Sequence, residues 1–386
     1  MSRGLGDVYK RQIVYYCYET FEYFFGFLVR QLKIKNVHNA CNLCERRDGK
    51  VVSIKTIAEE CGVSIATVSK ALNNHSDVSS ATKKLVCDTA KRLGYFPNSQ
   101  ARALKTNKTY NVGVLLQDKA HSGLTHSYFS AVLDSFRVEV EKNGYDITFI
   151  CGKIGGSVMS YYEHCMYRSV DGVLAACVDF YDNEITELFK SSLPLVTIDY
   201  RSDAVCSVSS DNVTGIRKIV EYAYSCGHRK IAYIYGESSQ VTTIRLNSYL
   251  DTMKRLGMQV QPDYLRQGKY HDAEYIYKLT SDMLKLYDRP SFIIIPDDFS
   301  SIGAINAAEE AGISIPEDLS IAGYDGIKMT QIMKPSLTTF EQNTAQIGKS
   351  AAELLLKIIR KEEISPEDRQ IIIDGKFIKG ATVKVI

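Results

Sequence analysis

Ser64, Ile65, Ala66, Thr67, Ser69 and Lys70 stand together in the stretch SIATVSK. A serine at the head of a helix accepts hydrogen bonds from the free N–H groups of its first turn. Ile65 and Ala66 then fall on that first turn, which meets base edges when a helix lies in a DNA major groove. Other chemistry is absent. The seven histidines form no HExxH, no paired Cys/His cluster and no partner set for a nucleophile elbow, and there is no P-loop or GxGxxG fingerprint. No enzymatic reaction and no cofactor are expected. The ten cysteines are scattered without framework spacing, as in reduced cytoplasmic proteins. Cys41 and Cys44 have CxxC spacing, but a zinc site needs a second ligand pair and His38 is the only candidate nearby, so no metal is expected.

The elements that position these residues begin at Ser53. The stretch SIKTIAEECGVSIATVSKALN, Ser53 to Asn73, reads as two short helices broken at Cys61, Gly62 and Val63. Ile57, Ala58, Val63, Val68 and Leu72 share an apolar face, with Ile65, Ala66, Thr67, Ser69 and Lys70 left outside. A third helix follows Val78, with Ser79 or Ser80 as its cap and Leu85, Val86, Thr89 and Leu93 on one side; Gly94 stops it. Pro97 and Asn98 break the run before SQARALK, Ser99 to Lys105, a helix-capable segment too short to be stable alone.

From Asn111 onward strands alternate with helices. NVGVLLQ, YDITFIC, DGVLAA and PLVTID are near-continuous apolar runs of strand length, and Ile231 to Tyr235, Phe292 to Ile295 and Ser320 to Tyr324 resume the pattern. Helices fall near Val213 to Ser225, Thr242 to Leu256, Ser300 to Ala311 and Ile347 to Arg360. The alternation predicts two α/β units of doubly wound type, each sheet covered on both faces. With 386 residues and 45% apolar content, the chain can fill such cores. Its net charge of +2 is unevenly spread. Residues 51–108 carry nine Lys/Arg against four Asp/Glu, whereas residues 109–386 carry 29 against 36. A basic module ahead of an acidic body points to a polyanionic partner for the module alone.

Residues 1–50 do not resemble the rest. MSRGLGDVYKRQ reads as a sequencing scar, and Glu19 and Glu22 argue against a membrane span or signal sequence in the aromatic run Ile13 to Val29. The expectation is translated upstream DNA, with Val51 or Val52 as a GTG start.

From about Val51 to its end the chain resembles the LacI/GalR-type transcriptional regulators. IKTIAEECGVSIATVSKALN resembles their helix-turn-helix, VSSATKKLV with LGYFPN the third helix, and ARAL the hinge. GHRKIAYI, PDDFSSIGAI, IAGYDG and PSLTTFEQN resemble their periplasmic-binding-protein-like core, in the same order. The resemblance implies an N-terminal all-α helix-turn-helix domain with a hinge helix, followed by an α/β periplasmic-binding-protein-like core of two doubly wound subdomains. The corresponding boundaries are 51–97, 98–109 and 110–386, the core dividing into an N-subdomain (110–209 and 340–363) and a C-subdomain (210–337 and 367–386).

The resemblance further implies that Ser64, Ile65, Ala66, Thr67, Ser69, Lys70 and Asn73 face DNA, with Ala101 and Leu104 in the hinge and Leu104 wedged into the minor groove. Apolar Ile65 and Ala66 would read thymine methyls, unlike relatives with polar residues there. Arg245, Asp297 and Asp325 align with effector-contacting positions, and Tyr128 or Phe129 would supply an aromatic wall. An arginine with two carboxylates suits the vicinal hydroxyls of a saccharide. For Asp297 and Asp298, helix capping competes with ligand contact. The expected protein is a cytoplasmic, homodimeric repressor of a pseudo-palindromic operator, without a membrane partner; the end ATVKVI shows no heptad tail for a tetramer. A solute-binding protein shares the core fold, but Ser53 to Leu104 contradicts that reading.

Overall fold

Three serines start three helices. Ser53, Ser64 and Ser79 each hold extended backbone and accept the N–H of the residue three positions on, Thr56, Thr67 and Thr82. They open α1 (Ile54–Cys61), α2 (Ile65–Leu72) and α3 (Ser80–Leu93). Gly62, at φ +67°, ends α1 in a left-handed conformation that a β-carbon would penalise. Ile57, Ala58, Val68, Ala71, Val86 and Ala90 form the small core between the helices. Some expected core positions shift. Leu85 is 50% exposed and the half-buried Val63, Leu72 and Leu93 only flank the core, while Ala71 and Ala90 take central places. Leu85 precedes Val86 by one residue, a turn of about 100° that carries it off the buried face.

The computed structural model describes residues 52–96, 108–117 and 122–386. The chain divides into two compact units, Met1–Asn98 and Ser99–Ile386. The expected extension 1–50 and the hinge residues Ala101 and Leu104 lie outside the described residues.

The second unit contains two lobes. In the first, β1 (Asn111–Leu116), α4 (Ser127–Lys142), β2 (Asp146–Phe149), the short hairpin β3 (Lys153–Ile154) and β4 (Ser157–Val158), α5 (Tyr161–Arg168), β5 (Gly172–Ala176), α6 (Asn183–Lys190), β6 (Leu195–Ile198) and β7 (Cys206–Ser210) follow in order. Strands β2, β1, β5, β6 and β7 lie side by side, all parallel. Both faces of the central strands β1, β5 and β6 are buried, which is why these read as continuous apolar runs. Val114, Leu174 and Val196 face Val132 and Phe136 of α4, whereas Leu115, Val173 and Ala175 face Cys165 of α5 and Ile185 and Leu188 of α6.

The second lobe comprises α7 (Asn212–Ser225), β8 (Ile231–Tyr235), α8 (Gln240–Arg255), β9 (Leu265–Gln267), α9 (Ala273–Leu284), β10 (Phe292–Ile294), α10 (Ser301–Glu310), β11 (Ser320–Ala322) and α11 (Lys328–Ile332). Its parallel sheet runs β9-β8-β10-β11. Helices α7 and α8 cover one face through Ile216, Ile219, Tyr249 and Met253, and α9 and α10 the other through Ile276, Met283, Ala304 and Ala308.

The chain then returns. After β12 (Thr339–Glu341), helix α12 (Thr344–Ile359) packs Ile347, Ala351 and Leu355 onto the first lobe, and β13 (Gln370–Ile373) joins its sheet beside β7. Strand β14 (Lys376–Ile378) pairs antiparallel with β12 on the other side. The sequence division assigned everything from residue 367 to the second subdomain, and β13 corrects it. Polar Ser207, Ser209 and Ser210 hide β7 from an apolar-run search, so its partner strand had no visible place to pair. Three strands of chain therefore join the lobes, at Ser210–Asn212, Glu341–Asn343 and Ile373–Lys376. The ends of both sheets face the resulting crevice, where α/β sheets place ligands.

Candidate functional site

In the first unit, the structure spreads the residues of α2 over two kinds of task. Ile65 is 53% exposed and Ala66 is also exposed, so the first turn offers an apolar surface to solvent. Ser64 and Thr67 are tied to each other by a 2.8 Å hydroxyl contact and by the cap itself. Half-buried Ser69 gives its carbonyl to the Asn73 side chain at 2.7 Å, which closes the helix end. Lys70 is ion-paired with Asp77 on the exposed side. The first turn is thus capped and its exposed surface apolar.

In the second unit, Tyr128, Phe129, Arg245, Asp297 and Asp325 all line one cavity of about 180 Å³ between the lobes. Arg245, on α8, is only 4% exposed. Its Nε donates to Asn212 Oδ1 at 2.7 Å and an NH1 to the Pro296 carbonyl at 3.3 Å, while the guanidinium lies 3.7 Å from the centre of the Tyr324 ring. Two acceptors and a stacking face fix the plane of the fork. Asp325 sits just past β11 at φ +113° and accepts from Gln342 Nε2 at 2.6 Å. Burial pushes its carboxyl well above the usual carboxylate range, against the pull of Arg245. Arg245 and Asp325 thus each hold other partners.

Asp297 lines the cavity and positions its walls. Its Oδ2 accepts the His271 N–H at 2.9 Å and the Ser300 hydroxyl at 2.7 Å, and Oδ1 accepts the Ser300 N–H at 2.8 Å. Asp298 points elsewhere. It accepts from Thr339 Oγ1 at 2.6 Å, Ile327 N–H at 2.9 Å and Thr330 Oγ1 at 3.1 Å, binding three segments of the second lobe together. Burial pushes the Asp298 carboxyl up to about 7, opposed by these donors.

Several lining residues escaped the sequence reading. Asp199 follows β6 at φ +61° and accepts the Tyr128 hydroxyl at 2.8 Å. Burial raises its carboxyl too, with Tyr128 and Arg245 opposing. Burial and Asp199 together raise the Tyr128 hydroxyl. The strand-end rule that singles out Asp325 applies equally to Asp199 at the end of PLVTID, so this residue had a readable signal. Tyr270 and His271 had none, because the strand before them is only three residues long.

Among the described residues, two contacts bridge the lobes. The His126 ring, at the start of α4, stacks on His271 at 4.5 Å, and His271 stacks in turn on Phe299 at 4.0 Å. On the other side, the Gln240 side-chain amide accepts the Arg201 N–H at 2.6 Å and donates to the Arg201 carbonyl at 2.9 Å. At the rim, Phe180 lies flat on Tyr200 at 4.4 Å and Tyr181 stands edge-on to Tyr200 at 6.2 Å. Carboxylates outnumber cations around this cavity, with Asp179, Asp199, Glu237, Asp297 and Asp325 against Arg245 among the described lining residues. Burial raises two of these carboxyls, Asp199 and Asp325, so the lining offers hydrogen-bond donors and acceptors rather than five full negative charges.

Comparison with known proteins agrees with this architecture. Residues 53–98 match the model for bacterial regulatory proteins of the lacI family, and residues 220–383 match a periplasmic binding protein-like domain. The HTH-type transcriptional repressor PurR of Pasteurella multocida is 28% identical over 328 residues, 83% of this chain and 95% of that protein. In fold, the chain is similar to the Lac repressor dimer bound to operator and the anti-inducer ONPF, with a TM-score of 0.75 and 24% identity over 87% of this chain and all of that one. It is also similar to a LacI family transcriptional regulator from Enterococcus faecium with bound ribose, with a TM-score of 0.61 and 25% identity over 72% of this chain and 99% of that one. With the three capped helices ahead of a two-lobed core in one chain, the protein belongs to the LacI family of DNA-binding transcriptional regulators.

Proposed function

We propose that this regulator is a repressor that binds a pseudo-palindromic operator as a homodimer and is controlled by a saccharide in the interlobe cavity. The observation that carries the reading is the pairing of an apolar, capped first turn on α2 with a buried arginine and three buried or half-buried carboxylates in a ligand-sized cleft. Ile65 and Ala66 face base edges, where apolar contact selects thymine methyls, and the backbone phosphates supply the salt-dependent part of affinity. Leu104 is assigned the minor-groove wedge, whose unstacking cost of a few kcal/mol is offset by the contacts that a kink permits.

At the cleft, the Arg245 fork donates to ligand oxygens, Asp325 and Asp199 accept from hydroxyls, and Phe129 covers an apolar ring face. The related regulator with bound ribose supports a saccharide, as does the set of carboxyl groups able to pair with hydroxyls. Effector control requires that the ligand favour one arrangement of the lobes over another, which is a linkage of two binding equilibria. For dimerisation, the first lobe presents Phe149, Met166 and Tyr167, each at least half exposed, around a wide groove. Sedimentation velocity reads this directly, and a monomer at micromolar concentration counts against the dimer.

The test of the function is an electrophoretic shift on the DNA upstream of the protein's own gene. Specific, salt-sensitive binding that weakens in Leu104→Ala and responds to a sugar supports the reading. Absent or salt-insensitive binding overturns it. A thermal-shift screen of sugars, nucleosides and other metabolites identifies the effector class, and a nucleoside or nucleobase as the sole hit overturns the saccharide.

A further inference from the structure

The loop between α2 and α3 turns back on the helix it leaves. Asn74 takes a left-handed backbone at φ +56°, and the His75 N–H bonds the Lys70 carbonyl at 3.0 Å. This sets Asp77 beside Lys70, whose ammonium donates to Asp77 Oδ2. From α3, the Lys83 ammonium donates to the Asn74 carbonyl at 3.3 Å. Both members of the ion pair stay open to solvent, with side-chain exposures of 50% for Lys70 and 52% for Asp77. A pair so exposed adds little to stability, so its consequence lies in where it places charge. Lys70 stands four residues after Ala66, one turn further along the same helix face, and belongs to the surface assigned to DNA. Residues 51–108 hold four acidic residues. Glu59 and Glu60 pair with Lys55 of α1 and Arg92 of α3, and Asp88 is exposed on α3. Asp77 is the acid that meets α2. The hydrogen bond from Lys70 holds its carboxyl below the ordinary range, so it is ionised at neutral pH.

We propose that Asp77 is a positioning residue for operator recognition, one that holds the Lys70 ammonium back from the phosphates of non-cognate DNA and presents it to a base edge. The inference rests on the reading that Lys70 faces DNA. A free lysine on this surface would neutralise a phosphate of any duplex and release its counterion, which adds affinity without sequence information. Paired with Asp77, Lys70 brings no net charge, and the carboxylate repels the phosphate that the ammonium would otherwise meet. An ammonium has three N–H donors. One is engaged by Asp77, and the two that remain can reach paired acceptors such as guanine O6 and N7 in the major groove. Lys70 then counts toward the correct sequence and little toward a wrong one, so discrimination comes from a repulsive element as well as an attractive one.

The experiment is fluorescence anisotropy of the full chain on two duplexes across a salt series, one duplex enriched from a random pool by the wild-type protein and one scrambled from it. In Asp77→Asn, binding to the scrambled duplex is expected to tighten about threefold or more, and its log–log salt slope to steepen by about 0.9, the mark of one further phosphate neutralised. Binding to the enriched duplex gains less, so the ratio of the two affinities falls. Asp77→Ser does the same, and melting curves verify that the variants fold. Asp88→Asn, which removes an equal charge elsewhere, leaves the ratio unchanged, and in a Lys70→Ala background Asp77→Asn leaves the slope unchanged. A ratio that Asp77→Asn does not lower, or that Asp88→Asn lowers equally, overturns the role of Asp77 while leaving the reading of Lys70 intact. Wild-type affinity of Lys70→Ala for both duplexes overturns that underlying reading and the proposal with it.

Discussion

Arg245 is the residue on which the cleft turns. Its plane is set by Asn212, the Pro296 carbonyl and the Tyr324 ring, so the remaining N–H groups project in fixed directions. Arg245→Ala is expected to weaken effector binding by about 2–3 kcal/mol, the usual loss for a charge-assisted hydrogen bond removed from a buried site. Arg245→Lys should not restore it, because an ammonium neither stacks nor forks. Titration calorimetry measures both. Asp298 gives a different prediction. Its pKa is raised from 3.8 to about 7 in the fold, so the native state holds a proton that the unfolded chain has released. Its contribution is fully favourable below pH 4 and is lost as pH rises toward 7, at about 1.4 kcal/mol for each pH unit crossed. Burial raises Asp199 and Asp325 in the same direction. The melting temperature should therefore fall between pH 5 and pH 8, and less steeply in Asp298→Asn. A wild-type slope of the opposite sign would show that these carboxyls are not the groups that dominate.

Helix ends and helix contacts decide what the elements can tolerate. The Ser64 side chain caps α2 through the Thr67 N–H at 3.0 Å. Ser64→Ala should lower the stability of the three-helix unit by about 1 kcal/mol, and operator affinity should drop with it because the reading turn frays. In the second unit, a β-carbon on Gly348 would meet the Val132 carbonyl of α4 and the backbone of Phe136. Gly348→Ala must push α12 away from α4, at about 1–3 kcal/mol, which a denaturant titration resolves.

The same elements show what a sequence can reveal. Strands buried on both faces announce themselves as apolar runs, and Val112 to Leu115 or Val173 to Ala176 leave no ambiguity. Strand β7 is buried just as fully, yet Ser207 satisfies its hydroxyl on Gln370 at 2.7 Å. A hydrogen bond between distant segments replaced hydrophobicity, and periodicity cannot register that. Likewise Asp297 and Asp325 could be placed on the cavity wall because PDDFSSIGAI and IAGYDG surround them, whereas Arg245 was placed there by the family resemblance alone. The ring pair His126 and His271 was not legible, since its meaning exists only once two lobes are brought together.

For the whole molecule, the charge division along the chain and the cleft between the lobes make separate demands. The basic front should give operator binding a steep salt dependence, with log affinity falling by roughly 0.9 for each phosphate neutralised per decade of salt. Fluorescence anisotropy on labelled operator DNA across a salt series measures the slope. A flat response would remove the phosphate-contact role from the residues around α2 and α3.

The Gln240 clasp leads somewhere else. It grips the peptide group of residue 201, taking its N–H and giving to its C=O, and carries no charge. The mutational consequence is a blind spot: any replacement of Arg201 that keeps an N–H leaves the grip in place, whereas Gln240→Leu releases it. The physical consequence concerns the medium. An uncharged amide pair is indifferent to ionic strength, so the hold between the lobes should persist in brine that strips the protein from DNA. A cell under osmotic stress would then lose occupancy of the operator while the sensor kept its tuning.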